Sequence, residues 1–454
     1  MNQNNENKIA IYDYNLEHEN WIKNSKIIQK LNNISSFQVD GWYTNISQRI
    51  RDPPGKIGFP FPVGKMLFYL GWDKKAQVVK GAVEFLTAAQ GPPDRTHGGA
   101  AFTILDEASG LCSKMAASVY NNNDTSNQKR LTAGATMNYR GPIKLNQPYQ
   151  VQVEVKSVTE RGKNKGIKLV LYGKIFNDDD INDIVADLDT TFIVRKVAEE
   201  DNNNNNNNNN NAEIYKHKVM YDNQGVILSP DRNNEKVTFQ SIQDLNIKWQ
   251  NNNNNNNNAI RNLIHNNDNN KVWKYIPRNK QLSIYTKPSF TTGKMYIDSY
   301  ANVQKRYILA PVQFLNTCEG HAKACHGGSV ATAFDTITAG FLIGSLSGLL
   351  DDLETPVDPD AYGDSNNICF TMSLSVSYKS ITPLLETLLI KVWVENGELS
   401  KTSGRAKLNL KGQLTNMDQS ILYAESESLW LSNRALSEVE LDKMVYIGDG
   451  NNKL

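Results

Sequence analysis

Cysteine is scarce in this chain: four residues in 454, at 112, 318, 325 and 369, with no CxxC pair among them. A disulfide-stapled secreted domain and a structural zinc site are therefore excluded, and a reducing compartment is the default. An excess of one charge is missing as well. Lys plus Arg total 49 against 48 Asp plus Glu, which argues against a dedicated nucleic-acid surface or a polybasic membrane surface. The amino terminus has no apolar core of a signal peptide and carries Glu6, Asp13, Glu17 and Glu19. The expected location is cytoplasmic, with the mitochondrion left open. GxSxG, HExxH and a GxGxxG after a strand are all absent. Serine-hydrolase, zinc-peptidase and dinucleotide chemistries thus have no motif behind them, and no metal or redox cofactor is expected.

One long apolar run stands out. Residues 327–350 carry a single charge, Asp335, and satisfy the length criterion for a membrane span. The run is rich in Gly, Ser and Thr, however, and ends at Asp351-Asp352. A related run at 98–120 contains Asp106, Glu107 and Lys114. A helix buried on all sides within a folded domain gives the same pattern, so no membrane span is expected.

The relation between those two runs organises the chain. His97-Gly98-Gly99 opens an apolar stretch with Asp106 nine residues after the His, and His326-Gly327-Gly328 does the same with Asp335. The two His residues are 229 positions apart. The same offset relates Gly64-Lys65-Met66 to Gly293-Lys294-Met295, Phe85-Leu86 to Phe314-Leu315, and Gly91 to Gly320. The chain is a tandem duplication.

Taken in order, residues 1–60 are a polar extension with one amphipathic helix around Trp21, Ile22, Ile27, Ile28 and Leu31. The first repeat, 61–196, reads as strands at 66–72 and 77–86, the His-Gly-Gly helix to 120, and strands at 131–140, 149–158, 167–176 and 184–195. One long helix among antiparallel strands is an α+β arrangement. Residues 197–275 form an Asn-rich linker with tracts at 202–211 and 251–258. Such tracts bury too little apolar surface to offset ordering entropy and are expected to be disordered. The stretch 237–249 between them is apolar enough to be ordered. The second repeat, 276–434, follows the same element order with an added acidic loop at 351–364, and 435–454 is a tail with a short helix.

The repeated motif has definite chemical capacities. Gly-Gly at a helix start leaves amide N–H groups unpaired and lets a ligand approach the backbone. The helix dipole there suits a developing oxyanion. An Asp inside an apolar helix is either a structural polar residue bonded to nearby backbone or a functional carboxylate. Two copies in one register, each behind His-Gly-Gly, favour the second. From Gly98 to Asp106 is about 12 Å of helix, whereas a reacting carbonyl must lie about 3 Å from both its donor and its attacker. One helix therefore cannot serve both ends of one carbonyl. If donor and Asp cooperate, the Gly of one repeat faces the Asp of the other, and a two-fold pairing of the repeats creates two such sites. His97 and His326, just before the helix starts, are read as fixing the loop and aiming the amide rather than as general bases.

The segments from Gly91 through His97 to Asp106, and from Thr132 through Tyr139 to Ile143, resemble the hotdog-fold acyl-CoA thioesterases. The resemblance is greatest to the branch of the thioesterase superfamily members 4 and 5, and it covers about 130 residues of each half. It implies two hotdog domains, each a central helix wrapped by a curved antiparallel sheet, paired as an intramolecular pseudo-dimer; further self-association stays open. It also implies hydrolysis of an acyl-CoA, with CoA as part of the substrate. By motif position, Gly98 and Gly327 would donate their amides to the thioester carbonyl. Asp106 and Asp335 would act as nucleophile or as base for water, assisted by Thr132 and Thr371. Arg140, Lys144 and Lys379, just after the motif strands, stand where they would meet CoA phosphates. Two departures are visible. Some relatives have Asn where this chain has Gly91 and Gly320, with Gln90 and Glu319 the nearest polar side chains. After Tyr378 the second copy needs two extra residues to reach Pro383, so its loop is expected to differ from the first. Two alternatives share the fold: an acyl-CoA-binding regulatory protein without turnover, and a hotdog enoyl-CoA hydratase or dehydratase.

Overall fold

The computed structural model describes residues 14–39, 66–196 and 295–447, interrupted at 121–127, 162–165, 178–179, 181, 316–317, 322–323 and 352–364, plus short strands between 220 and 276. The Asn tracts, residues 237–249 and most of the acidic loop lie outside the described residues.

Chain order begins with α1 (Tyr14–Asn24), α2 (Lys26–Asn32) and β1 (Phe37–Val39). The amphipathic helix expected here is thus two helices. Ser25 separates them, its hydroxyl accepting from the Ile28 amide as an N-cap. Ile27, Ile28 and Leu31 pack on Tyr69 and Ala82, and β1 pairs with the first strand of the repeat. Part of the extension is therefore built onto the first domain.

The first repeat comprises β2 (Met66–Asp73), β3 (Val78–Phe85), α3 (Gly98–Tyr120), β4 (Gln128–Tyr139), β5 (Pro148–Glu160), β6 (Ile167–Phe176) and β7 (Ile184–Lys196). β8 (Met220–Tyr221) and β9 (Ile227–Leu228) form a separate small hairpin. The second repeat is preceded by β10 (Trp273–Ile276) and contains β11 (Met295–Ile297), β12 (Ser299–Asn302) and β13 (Tyr307–Phe314). β14 (Glu319–His321), β15 (Ala324–Cys325) and α4 (Gly327–Leu346) follow. It closes with β16 (Cys369–Tyr378), β17 (Thr387–Leu399), β18 (Arg405–Asn416) and β19 (Leu422–Ala435), and α5 (Glu438–Met444) lies beyond it.

All the long strands join one antiparallel sheet, in the order β1-β2-β3-β5-β6-β7-β4-β16-β19-β18-β17-β13-β12-β10 with β11 beside β13. Helix α3 touches all six strands of its own repeat, β2 to β7, which requires the sheet to curve around it. Ala100, Ala101, Phe102, Leu105 and Ala108 are fully buried on successive faces of that helix. Helix α4 is likewise buried: the run that imitates a membrane span is core.

The halves meet twice. Helices α3 and α4 pack against each other, and β4 pairs antiparallel with β16. At the centre of that seam Thr136 pairs with Ser375, their hydroxyls 2.9 Å apart. These two residues are counterparts, since Thr132 and Thr371 each lie four positions before them. A residue meeting its own counterpart marks a pseudo-two-fold axis, as at an isologous dimer interface. The two repeats depart from each other where β2 corresponds to two strands, β11 and β12. The break at Asp298 lies opposite Pro311, whose counterpart in the first repeat is Ala82. Asp298 still donates to the Pro311 carbonyl at 3.1 Å, but proline returns no N–H, and the ladder lapses. Beyond it β10, which spans the expected boundary between linker and second repeat, pairs with β12 and edges the sheet.

Candidate active site

The site is built from the start of one central helix and the middle of the other. Each motif His directly precedes its helix, and His326 does so in an extended conformation (φ −70°, ψ 142°). Its Nδ1 accepts from the second glycine amide, at 3.0 Å for His97 with Gly99 and 2.9 Å for His326 with Gly328. The imidazole thus acts as the helix cap in the role usually filled by Ser or Asp.

The same amide also faces a carboxylate from the other repeat. Gly99 donates to Asp335 Oδ2 at 3.2 Å, and Gly328 to Asp106 Oδ2 at 3.1 Å. The helices run past each other so that each start lies beside the partner's midpoint, which brings Gly98 to Asp335 and Gly327 to Asp106. The remaining carboxylate oxygen is held from its own repeat: Thr371 Oγ1 donates to Asp335 Oδ1 at 2.9 Å, and Thr132 Oγ1 to Asp106 Oδ1 at 3.4 Å.

The two glycines of each motif do different things. A Cβ on Gly99 would sit 2.8 Å from the Thr332 Cα, and one on Gly328 3.0 Å from the Thr103 Cα, so the second glycine permits close helix packing. A Cβ on Gly98 would sit 2.8 Å from Asp335 Oδ2, and one on Gly327 3.0 Å from Asp106 Oδ2. The first glycine therefore keeps open the space beside the carboxylate. Among the described residues none accepts from the Gly98 or Gly327 amide. Tyr139 and Tyr378 donate to the Gly98 and Gly327 carbonyls, both at 2.8 Å, and burial pushes both phenols well up from their ordinary range. These tyrosines fix the glycine peptides. In sequence they look like ordinary strand aromatics, and only their equal spacing from the threonines marked them.

A cavity of 320 Å³ opens at the first of these sites, reaching Gly98, His97, Asp335 and Thr371. Its inner wall includes Thr336 and Ile343 of α4 and Cys369 and Trp430 of the sheet, and its mouth includes Arg95 and Arg140. Burial of Asp106 at the second site raises its carboxyl pKa. The adjoining Glu107 carboxylate adds to the rise, against the lowering effects of His326, the Gly328 amide and Thr132.

The expected phosphate contacts fare unevenly. Arg140 is ion-paired with buried Asp187, and Lys379 with Glu425 at 2.8 Å. Lys144 is exposed, and its backbone bridges to Arg95. Arg95 was not marked by the sequence reading; its guanidinium lies over the Phe370 ring, 4.8 Å from the centroid. Gly91 and Gly320 are explained by packing, since a Cβ there would lie 2.7 Å and 2.9 Å from the Cα of His97 and His326. Among the described residues no cluster of metal-type ligands occurs.

The loop after Tyr378 corrects the expectation from Pro383. Thr96 donates to Ile143 O at 2.8 Å, and its counterpart Cys325 donates to Thr382 O at 2.9 Å. Asn146 donates to Phe85 O and Leu385 to Phe314 O. Every counterpart keeps one spacing, so the second loop contains no extra residues. Pro383 replaces Lys144, and the matching of two prolines was coincidental.

No known protein family's pattern matches the chain, and no curated protein matches its sequence. Its course is similar to that of solved thioesterases. The 12:0-ACP thioesterase of Umbellularia californica is 8% identical, with 78% of this chain and 94% of that one covered and a TM-score of 0.37. An acyl-ACP thioesterase of Bacteroides thetaiotaomicron is 7% identical, covering 78% and 98%, at a TM-score of 0.34. A tesB protein of Mycobacterium avium subsp. paratuberculosis is 9% identical, covering 78% and 92%, at 0.35. At such identities and scores the likeness describes the path of the chain and says nothing about its chemistry.

Proposed function

We propose that the protein hydrolyses an acyl-CoA thioester to a free acid and CoA at the site made by Gly98, Asp335 and Thr371. The observation that carries this reading is a carboxylate held beside an unclaimed helix-start amide at the wall of a largely apolar cavity. The thioester carbonyl oxygen accepts from the Gly98 N–H, where the helix dipole favours the negative charge that develops on it. Asp335 then does one of two things. It attacks the carbonyl carbon, the C–S bond breaks, and water hydrolyses the resulting anhydride; or it takes a proton from a water that attacks directly. In both routes the sulfur leaves with a proton as the CoA thiol, and the acyl group departs as the acid. Thr371 orients Asp335, and His97 aims the helix start.

His97 itself is poorly suited to be the base of a hydratase. Its Nδ1 caps the helix, and its Nε2 lies 3.2 Å from Thr336 Oγ1. At the mouth, Arg95 and Lys144 supply cations for CoA phosphates, while Arg140 is held by Asp187. The proposed setting is fatty acyl-CoA metabolism in the cytoplasm, with the mitochondrion left open. The test is release of free CoA from a panel of acyl-CoA esters, followed by its loss in Asp335→Asn while the variant still melts cooperatively. Turnover of no member of the panel, with double-bond hydration of an enoyl-CoA instead, would overturn the reading.

A further inference from the structure

The repeats superpose so closely in register that each residue on the wall of the Gly98–Asp335 cavity has an identifiable counterpart beside Gly327 and Asp106. Along the central helices the offset of 229 holds without a gap, so Thr336 and Ile343 correspond to Glu107 and Lys114. Along the seam strands, Thr371 faces Trp430 and Thr132 faces Phe192 in the same antiparallel register. Cys369 therefore corresponds to Arg130, and Ile368 to Lys129. Four uncharged wall residues are matched by four charged ones. Ile343 and Cys369 are buried, while Lys114 and Arg130 are half-buried in their places.

Glu107 is anchored rather than incidental. It is only 9% exposed, and its carboxylate lies 3.2 Å from His326 Nε2. In the first site the equivalent imidazole nitrogen meets the Thr336 hydroxyl instead. From Asp335 to Ile343, and from Asp106 to Lys114, is eight residues, about 12 Å along the helix. Over that distance the first chamber offers an alkyl chain Ile343, Cys369 and Trp430. In the second, Glu107, Lys114 and Arg130 stand in place of Thr336, Ile343 and Cys369, and an alkyl chain would meet charged groups and disturb their polar partners where the first site gives it apolar contact. The mouths differ in the matching sense. Arg95 and Lys144 correspond to Ala324 and Pro383, whose backbones make the same bridge, so that pair of cations is missing from the second site.

We propose that only the Gly98–Asp335 site takes an aliphatic acyl chain, and that Glu107, Lys114 and Arg130 bar such a chain from its twin, so that each polypeptide binds one acyl-CoA. This rests on the acyl-CoA hydrolase reading given above. The test is isothermal titration of the Asp106→Asn/Asp335→Asn protein, which leaves the wall residues of both sites in place without turnover, with lauroyl-CoA. One equivalent binds per chain. Adding Ile343→Lys weakens binding about tenfold or more, whereas adding Lys114→Glu, which keeps a charge in the second chamber, changes it less than about twofold. Thr336→Glu serves in place of Ile343→Lys if the latter melts early. Two equivalents, or binding sensitive to Lys114→Glu and indifferent to Ile343→Lys, would overturn the proposal while leaving the hydrolase reading intact. Absence of binding overturns it too, and absence of CoA release by the unaltered protein takes the hydrolase reading with it.

Discussion

The two motif sites agree in the polar contacts that hold their helix starts. The imidazole caps the second glycine at 3.0 and 2.9 Å, the crossed carboxylate accepts from that glycine at 3.2 and 3.1 Å, and the tyrosine holds the first glycine's carbonyl at 2.8 Å in both. Their walls disagree. Thr336, Ile343 and Cys369 stand where Glu107, Lys114 and Arg130 stand in the twin. Duplication explains how both can be true. The crossed contacts also hold the two helices together, so losing them would cost stability in either half. A chamber wall is free of that constraint once the other chamber does the work.

The largest expected effect is that of Asp335→Asn, which lowers kcat on a long-chain acyl-CoA by about 100-fold or more, read as CoA release. Next comes Thr336→Glu, which gives the first site the second site's carboxylate beside His97. It lowers kcat/KM for lauroyl-CoA by about tenfold, while a short acetyl ester loses less. Stability offers smaller contrasts. Leu385 sits at φ 62°, where its counterpart Asn146 sits at φ 54°. Asn tolerates that region and Leu does not, so Leu385→Asn stabilises by about 1 kcal/mol in a denaturant titration. Gly110 has open space where a Cβ would go, and its counterpart is Ala339. Gly110→Ala should add about 0.5–1 kcal/mol.

The pH dependence of stability sharpens the comparison further. Burial raises the Asp106 pKa in the folded protein. The folded state then holds that proton more tightly than the unfolded chain does. This stabilising contribution is complete below the ordinary carboxylate range and is lost as pH rises through the folded value. Asp106→Asn removes the titration. Its melting temperature relative to the unaltered protein should be most favourable near neutral pH, decline as pH falls through the folded value, and level off below a pH of about 4.

Much of this was legible in the residues. The duplication, the α+β order and the crossed pairing of Gly with Asp followed from one repeated motif and the rise of a helix. Aromatic and β-branched runs with partial alternation marked the long strands of the first repeat, including Met66–Asp73, which is buried on both faces. The single amphipathic helix failed because Ser25 is a cap, a role that depends on its backbone and not on the apolar spacing. Trp273–Ile276 was missed because a four-residue edge strand has too little pattern to read. Pro142 and Pro383 were paired by identity, although the spacing from Tyr139 and Tyr378 already contradicted the match. The charges at Glu107, Lys114 and Arg130 were in plain sight, but only the fold shows that they replace the wall of a cavity.

The most direct measurement compares kcat/KM for lauroyl-CoA in three proteins: Gly98→Pro, Asp335→Asn and Asp106→Asn. Proline is tolerated at the first helical position, removes the donor amide, and sets a Cβ against Asp335. A site shared between the repeats, with alkyl chains confined to one chamber, predicts that Gly98→Pro and Asp335→Asn fall together by about 100-fold or more, while Asp106→Asn keeps at least about half the original rate. Gly98→Pro falling together with Asp106→Asn, with Asp335→Asn unaffected, would contradict the crossed assembly, and equal losses from the two Asp variants would contradict the division between the chambers.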